Sequence, residues 1–364
     1  MELSLCMIVK DEAERLANCL ESVRHAVDEV VILDTGSGDE TKRVARRYTD
    51  RVYDYVWQDD FAAARNASFA YATCPFILWL DADDVLDAEE AEKLCALKAK
   101  LNETVDAVMM PYHYAFDAAG RPTLVFERER IVRRAAGFVF SGIVHEAMAV
   151  RGNVLHEPIV VRHTGTHGVQ SNRRNLAIYE KWLSRGRALS ARDWYYYARE
   201  LKSAGEWEKA EAAFSSFLGM DGWAVNRADA FVLRGECLMQ LGRGNEAKRS
   251  ILSSLAEGMP RAEALCALGA CFAQEEEWET AAHWYRAALL CTQPQTGGAF
   301  TNPDAYGYLP LMQLCVLLAR MGRETEAAKM NEQALLLRPG DPAALANRDY
   351  FAARLAGRLP ETDA

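Results

Sequence analysis

The sequence has no GxxxxGKS/T loop, no CxxC pair, and no apolar run near the roughly 18 residues of a membrane-crossing helix. The first absence excludes a P-loop. The nine Cys are an odd number, scattered through apolar contexts such as Leu265-Cys266-Ala267. They read as reduced thiols filling core space in a cytoplasmic protein. Positive charge is scarce: 42 Lys and Arg stand against 52 Asp and Glu, a net charge of −10. A general nucleic-acid binder needs clustered basic residues, so that class is set aside. The opening MELSLCMIVKDE has no basic leader region, no small-residue cleavage site, and an apolar run too short for a signal peptide. What remains is an ordinary soluble composition, 50% hydrophobic and 26% charged, over 364 residues. That length predicts two domains.

The two halves have different periods. LSLCMIV (Leu3 to Val9), EVVIL (Glu29 to Leu33), RVYDYVW (Arg51 to Trp57), FILWL and DAVMMPYHYAF (Asp106 to Phe116) read as five strands. Helix-like pieces separate them, and Asp11 with Glu14 reads as a capping box for a helix running to about Ala26. Strand–helix alternation predicts a mostly parallel α/β sheet, with its ligand crevice beyond the carboxyl ends of the strands. From about Ser171 the pattern is helical throughout. Ala210, Ala247, Ala281 and Ala327 anchor internal repeats spaced by 37, 34 and 46 positions. Gly205, Gly242 and Gly322 precede three anchors by five residues, and Glu276 stands where the third repeat would carry its turn glycine. Trp194, Leu268 to Phe272, and Pro339 fill tetratricopeptide-repeat (TPR) positions, whose period is about 34 residues. The long last spacing is taken up by TQPQTGGAFTNP, read as a loop insertion. The domain expectation is therefore 1–175 for the α/β domain, 176–191 for a helical linker, 192–340 for about four repeats, and 341–364 for a capping helix and tail.

The chemistry concentrates at strand ends. LWLDADD sets Asp81, Asp83 and Asp84 directly after an apolar run. On an extended chain Asp81 and Asp83 share a face, and two adjacent carboxylates repel unless a cation or donors lie between them. Mg²⁺ or Mn²⁺ suits such a pair, completing its shell with water and phosphate oxygens. The structural alternative is that these acids cap the helix LDAEEAEKL, a reading kept open above all for Asp84 and Asp87. DTGSG is not a dinucleotide fingerprint, for it follows the second strand and lacks the third glycine. Asp34 ends a strand and offers an acceptor to a base or ribose, and Arg65 sits on the helix before the acidic strand, within reach of a diphosphate.

MIVKDE, VVILDTGSGDET, DDFAAARNASFAYA and ILWLDADD, in this order and spacing, resemble family 2 glycosyltransferases of the GT-A fold. The resemblance is strongest to the bacterial branch with C-terminal TPRs, which includes S-glycosyltransferases of bacteriocin peptides and lipopolysaccharide-core relatives. It implies a Rossmann-like α/β GT-A domain followed by an all-α TPR solenoid. It implies that Lys10, Glu12, Asp34 and Arg65 line the nucleotide pocket, that Asp81 leans toward the ribose, and that Asp83 holds the metal. FSGIVHEAM resembles the family's G-x-x-HE segment, making His145 a further metal ligand and placing Glu146 near the acceptor. VRHTGTHG resembles its H-x-G segment, with His163 facing the diphosphate or metal. Without the family, each histidine reads more often as a satisfied structural residue than as a ligand, and Gly165 between His163 and His167 argues against a zinc helix. Asp59 and Asp60 either orient Arg65 or the sugar hydroxyls, or one of them caps the helix from Ala62. The run Arg128, Arg130, Arg133, Arg134 reads as a solvated face or, for one of them, a ligand contact.

The implied activity is metal-dependent, inverting transfer of a hexose from a UDP-sugar, with Mn²⁺ or Mg²⁺ as the cofactor. The acceptor is a Ser, Thr or Cys side chain of a peptide or protein held by the TPR groove. Glu146 is the candidate general base, with the orienting of His145 as its other reading. In the alternative, the acceptor is a cell-surface glycan or lipopolysaccharide and the repeats serve homodimerisation. A TPR scaffold with a dead transferase domain is the reading from another class. Neither a nucleic-acid partner nor a membrane span is expected.

Overall fold

The computed structural model describes residues 1–117, 119–165, 169–293 and 300–357, with the side chains of 169–172 outside the description. His167 and part of the expected insertion, 294–299, therefore lie outside the described residues. The chain divides into two compact units that meet at Glu200 and Leu201. The first unit thus runs past the boundary at 175 expected for the transferase domain.

The first unit contains β1 (Leu3–Val9), α1 (Leu16–Val23), β2 (Glu29–Asp34), α2 (Thr41–Ala45), β3 (Val52–Asp54), α3 (Phe61–Ala70), β4 (Phe76–Trp79), β5 (Asp84–Val85), α4 (Ala88–Lys100), β6 (Ala107–Phe116) and β7 (Pro122–Arg133). After these come β8 (Phe140–Ser141), β9 (Ala147–Met148), β10 (Val154–His156), β11 (Val161–His163), α5 (Val169–Ser184) and most of α6 (Ala191–Ser203), whose last turn belongs to the second unit. The main sheet runs β3-β2-β1-β4-β7-β6-β11-β5, with β10 paired to β6. Strands β1 to β4 are mutually parallel where they pair, and β7 enters between β4 and β6 antiparallel to both. The sheet is mixed because β7, whose TLVFERER segment carries charges of alternating sign on the four consecutive residues Glu127 to Arg130, is a strand where the sequence suggests a basic surface run. Successive residues of β1 bury on opposite faces. Leu3, Leu5, Met7 and Val9 join Leu16 and Leu20, while Cys6 joins Trp79, Ala62 and Phe140. Both faces are covered, which is why the β1 run is apolar apart from Ser4, whose hydroxyl bonds to Glu29.

Chain order reverses at β1, which has β2 on one side and β4 on the other. A crevice opens beyond the carboxyl ends at such a switch point. Lys10, Asp34 and Asp81 follow or end these three strands there.

The second unit is helical, with α7 (Trp207–Leu218), α8 (Ala224–Gln240), α9 (Gly244–Ser253), α10 (Ala262–Gln274), α11 (Trp278–Ala288), α12 (Tyr308–Arg320), α13 (Glu324–Leu337) and α14 (Pro342–Leu355). Ala210, Ala247, Ala281 and Ala327 are fully buried, because small side chains let antiparallel helices approach closely. Gly269 makes the same point: an added Cβ would stand 2.8 Å from the Tyr285 ring. The turns α8–α9 and α12–α13 place Gly242 and Gly322 at φ +71° and +73°. The α10–α11 turn forces Glu276 to φ +61°, a conformation that side-chain-bearing residues avoid. Phe351 of α14 completes the core of the preceding helices.

Candidate active site

The acidic segment is a turn, not the extended run expected from its sequence. The amide of Asp84 donates to the Asp81 carbonyl at 3.0 Å, closing a turn through Ala82 and Asp83. Asp81 and Asp83 therefore take different partners. Arg65 of α3 donates through Nη2 to Asp81 Oδ1 at 2.6 Å and through Nε to Glu146. Its guanidinium lies 4.5 Å from the Trp79 ring centroid, and it is buried. Burial alone would weaken its charge; Asp81 and Glu146 outweigh that and hold it firmly protonated. Asp83 meets His163, with Oδ1 3.4 Å from Nδ1. The antiparallel pairing of β5 with β11 sets His163 opposite Asp84 and so brings the two distant motifs together. Thr164 locks the junction by donating from its amide and hydroxyl to the Asp83 carbonyl at 2.7 and 2.8 Å.

Asp84 is the residue that the sequence reading weighed as a helix cap. It is fully buried and caps no helix among the described residues. Its carboxylate accepts from Tyr112 Oη at 2.7 Å and from the Asp81 amide at 3.0 Å, and pairs with Arg130 Nη1 at 3.0 Å. Burial raises its pKa, but Arg130 and the surrounding donors overcome that and lower it to about 2. Arg130 is fully buried too, with its guanidinium 4.3 Å from Trp79 and 4.4 Å from Tyr112 ring centroids. Arg128 lies 4.6 Å from the Trp79 centroid. These two arginines are part of the site's framework, which corrects the solvated-face reading.

A divalent cation fits the residues present. Asp83, Asp84 and His163 offer ligand atoms within 4.8 Å of one another. Asp84 is committed to Arg130 and Tyr112, which leaves Asp83 and His163 as the pair to hold an ion. Gly165 keeps the space between them open: a Cβ there would stand 2.3 Å from Asp83 Oδ2 and 2.7 Å from His163 Nε2. Desolvation lowers the His163 pKa, but Asp83 and Asp84 more than reverse this and raise it to about 9. Burial and the neighbouring Asp83 charge raise the pKa of Glu12. Clustered charge of one sign is the electrostatic condition for cation binding.

His145 does not join this group among the described residues, which corrects its expected role as a metal ligand. Its Nε2 faces Glu200 Oε1 at 2.6 Å, and its ring stacks on Tyr196 at 4.6 Å. Glu146 is likewise placed by Arg65 rather than by His145, so the orienting role weighed for it belongs to Glu200. Asp60 caps α3 through Oδ1, which accepts from the Ala63 amide at 2.9 Å, and Asp59 pairs with Lys181. The sugar-contact reading of Asp60 is thereby replaced by a cap. Asp11 is no capping-box residue either. It stands at φ +54° and accepts from the Gly38 amide at 2.7 Å, tying β1 to the DTGSG turn. Asp34 Oδ1 accepts from the Gly36 and Ser37 amides, both at 2.9 Å, while Oδ2 is buried without a hydrogen-bond partner. A buried carboxylate oxygen in that state is costly, and a donor from a ligand would satisfy it. Lys10 is exposed at the crevice edge.

Sequence reasoning missed Tyr112 and Glu200, and it named Arg130 only as a solvated residue or a ligand contact. Charge alternating along an otherwise strand-forming stretch was the available signal for β7. Glu200 gave none, lying in a helix far along the chain.

Residues 4–150 match the family model described as Glycosyl transferase family 2. The chain is 28% identical over 216 residues to the SPbeta prophage-derived glycosyltransferase SunS of Bacillus subtilis (strain 168), covering 56% of this chain and 50% of that protein. It is 31% identical over 161 residues to the lipopolysaccharide core biosynthesis glycosyltransferase LpsC of Rhizobium meliloti (strain 1021), covering 42% and 59%. Over 88 residues it is 51% identical to a TPR repeat-containing protein of Synechococcus elongatus, covering 24% and 22%. The chain thus spans about half the length of the glycosyltransferases it matches and less of the TPR relative. No helix among the described residues is long and apolar enough to cross a membrane. The domain that carries Asp34, Arg65, Asp81 and Asp83 is a family 2 glycosyltransferase domain of GT-A fold, and a TPR region follows it.

Proposed function

We propose that the protein is a metal-dependent, inverting glycosyltransferase that moves a hexose from a UDP-sugar to a peptide or protein side chain. The observation that carries this reading is the meeting of Asp83 with His163 across the space that Gly165 leaves open, at the crevice of a family 2 domain. A divalent cation held by Asp83 and His163 would supply positive charge to the leaving diphosphate. The chain's own residues do the rest. Asp34 Oδ2 accepts from the base or ribose. Asp81, steadied by Arg65, faces the nucleotide. Arg65 holds Asp81 and Glu146 in register and adds charge to the pocket wall, being too buried to act as a mobile donor. Lys10 and Glu12 border the nucleotide. The hydroxyl or thiol of the acceptor attacks the anomeric carbon opposite the departing diphosphate, which inverts that centre.

The TPR region supports the peptide acceptor, since such arrays present grooves that hold extended segments. The similarity to LpsC supports a second acceptor class, a lipopolysaccharide-type glycan, with the repeats then serving dimerisation. The test is UDP release from UDP-glucose, UDP-galactose, UDP-GlcNAc and UDP-GalNAc, with Mn²⁺ or with EDTA, by wild type and Asp83→Ala. Release that needs metal, prefers one sugar and disappears in the variant supports the reading. The absence of both UDP release and metal-dependent UDP binding would reject it in favour of a scaffold.

A further inference from the structure

His145 stands in the left-handed region at φ +53°, where a residue with a side chain is strained. Such strain persists only where the surroundings impose it, and here they do. Arg192 donates from Nε and Nη2 to the His145 carbonyl at 3.1 and 2.8 Å. Tyr196 stacks on the ring, and the Tyr179 hydroxyl donates to the neighbouring Val144 carbonyl at 3.4 Å. Glu200, 5% exposed, receives His145 Nε2 at 2.6 Å and Asn175 Nδ2 at 2.7 Å on the same oxygen. A carboxylate only accepts, so Nε2 carries the proton and Nδ1 of the neutral ring is left as an acceptor. This is the arrangement of an oriented imidazole base. The site lies beside the acids of the crevice. The next residue, Glu146, reaches Arg65, which holds Asp81. The half-buried Tyr114 ring stacks on His163, and its phenol feels the charges of Glu200, Asp81 and Asp83 together.

We propose that His145 is the general base of the transfer and that Glu200 is its positioning residue. The proposal rests on the glycosyltransferase reading above. In the step, Nδ1 takes the proton from the acceptor O–H or S–H as that atom bonds to the anomeric carbon. The bond from that carbon to the diphosphate oxygen breaks, and its electron pair leaves on the diphosphate. The imidazolium that forms is countered by Glu200. Glu146 is excluded from this role by its commitment to Arg65.

The experiment uses the full chain with Mn²⁺ and the best UDP-sugar, water serving as the acceptor probe, and reads UDP release from pH 5.5 to 9. His145→Asn removes the imidazole, and Asn is among the residues best tolerated at positive φ. Thermal unfolding verifies the fold, and calorimetry measures binding of UDP with Mn²⁺. Release falls roughly 100-fold or more in His145→Asn, with UDP binding kept within about twofold. Glu200→Gln keeps the hydrogen bond but removes the charge. It slows release about tenfold, in keeping with a lost supporting contact, and moves the acid limb of the profile to lower pH. An unchanged rate and profile in His145→Asn overturns the proposal while the glycosyltransferase reading stands. Loss of UDP binding with Mn²⁺ in that variant also overturns it and returns His145 to the nucleotide site. Wild type that neither binds UDP nor releases it from any sugar overturns both.

Discussion

Replacing Asp84 by Asn tests the claim that two adjacent acids of one motif do different work. The Asp84 carboxylate satisfies three donors: Tyr112 Oη at 2.7 Å, the Asp81 amide at 3.0 Å and Arg130 Nη1 at 3.0 Å. Asn keeps one acceptor oxygen and turns an NH₂ toward the other donors. It also leaves Arg130 fully buried without a counter-charge. Breaking a buried pair from one side costs about 3–5 kcal/mol. For a domain of this size each kcal/mol moves the midpoint by roughly 2–4 °C, so the transition of the first unit should drop by roughly 10 °C. Asp83→Asn, at a partly exposed side chain whose partner is His163, should cost less than about 1 kcal/mol and still abolish metal-linked UDP binding. Calorimetric scanning of the full chain, with UDP and Mn²⁺ titrations, reads both effects. The folded-state pKa of Asp84 is about 2, below its unfolded value, so its contribution is present above about pH 4 and disappears as pH falls toward 2. Equal stability losses in the two variants, or a loss under 1 kcal/mol for Asp84→Asn, would refute the division of labour.

Three further outcomes follow from the same geometry. Gly165→Ala sets a methyl group against Asp83 Oδ2 and His163 Nε2, so UDP binding with Mn²⁺ should weaken at least tenfold while the unfolding midpoint stays within about 3 °C. Because the His163 pKa is about 9 without metal, an ion that takes His163 as a ligand must displace a proton below that pH. Calorimetric Mn²⁺ affinity should then rise by up to about tenfold per pH unit and level off near pH 9; a flat profile removes His163 from the ligand set. Glu276→Gly relieves a positive φ in the α10–α11 turn and should stabilise the second unit by up to about 1 kcal/mol, read as a rise in its denaturant midpoint.

Much of the fold was legible because its signals are local. Apolar runs ended by acids mark buried strands, and the recurring buried alanines mark close helix pairs. The β7 strand was not legible, because Arg128 and Arg130 carry charges that a sequence reading assigns to solvent. Only their stacking on Trp79 and the pairing of Arg130 with Asp84 make burial tolerable. Asp84 was misread for the same reason, since a charge looks exposed until its partner is known.

The sequence by itself determined that acids cluster at the strand ends of an α/β domain and that a helical repeat region follows. Both are matters of residue type and period within short windows. Only the tertiary structure decided which acid does what. Asp81 goes to Arg65, Asp83 to His163 and Asp84 to Arg130, because a turn separates side chains that an extended chain would align. It also decided that His145 faces Glu200, a residue 55 positions away that no local pattern connects to it.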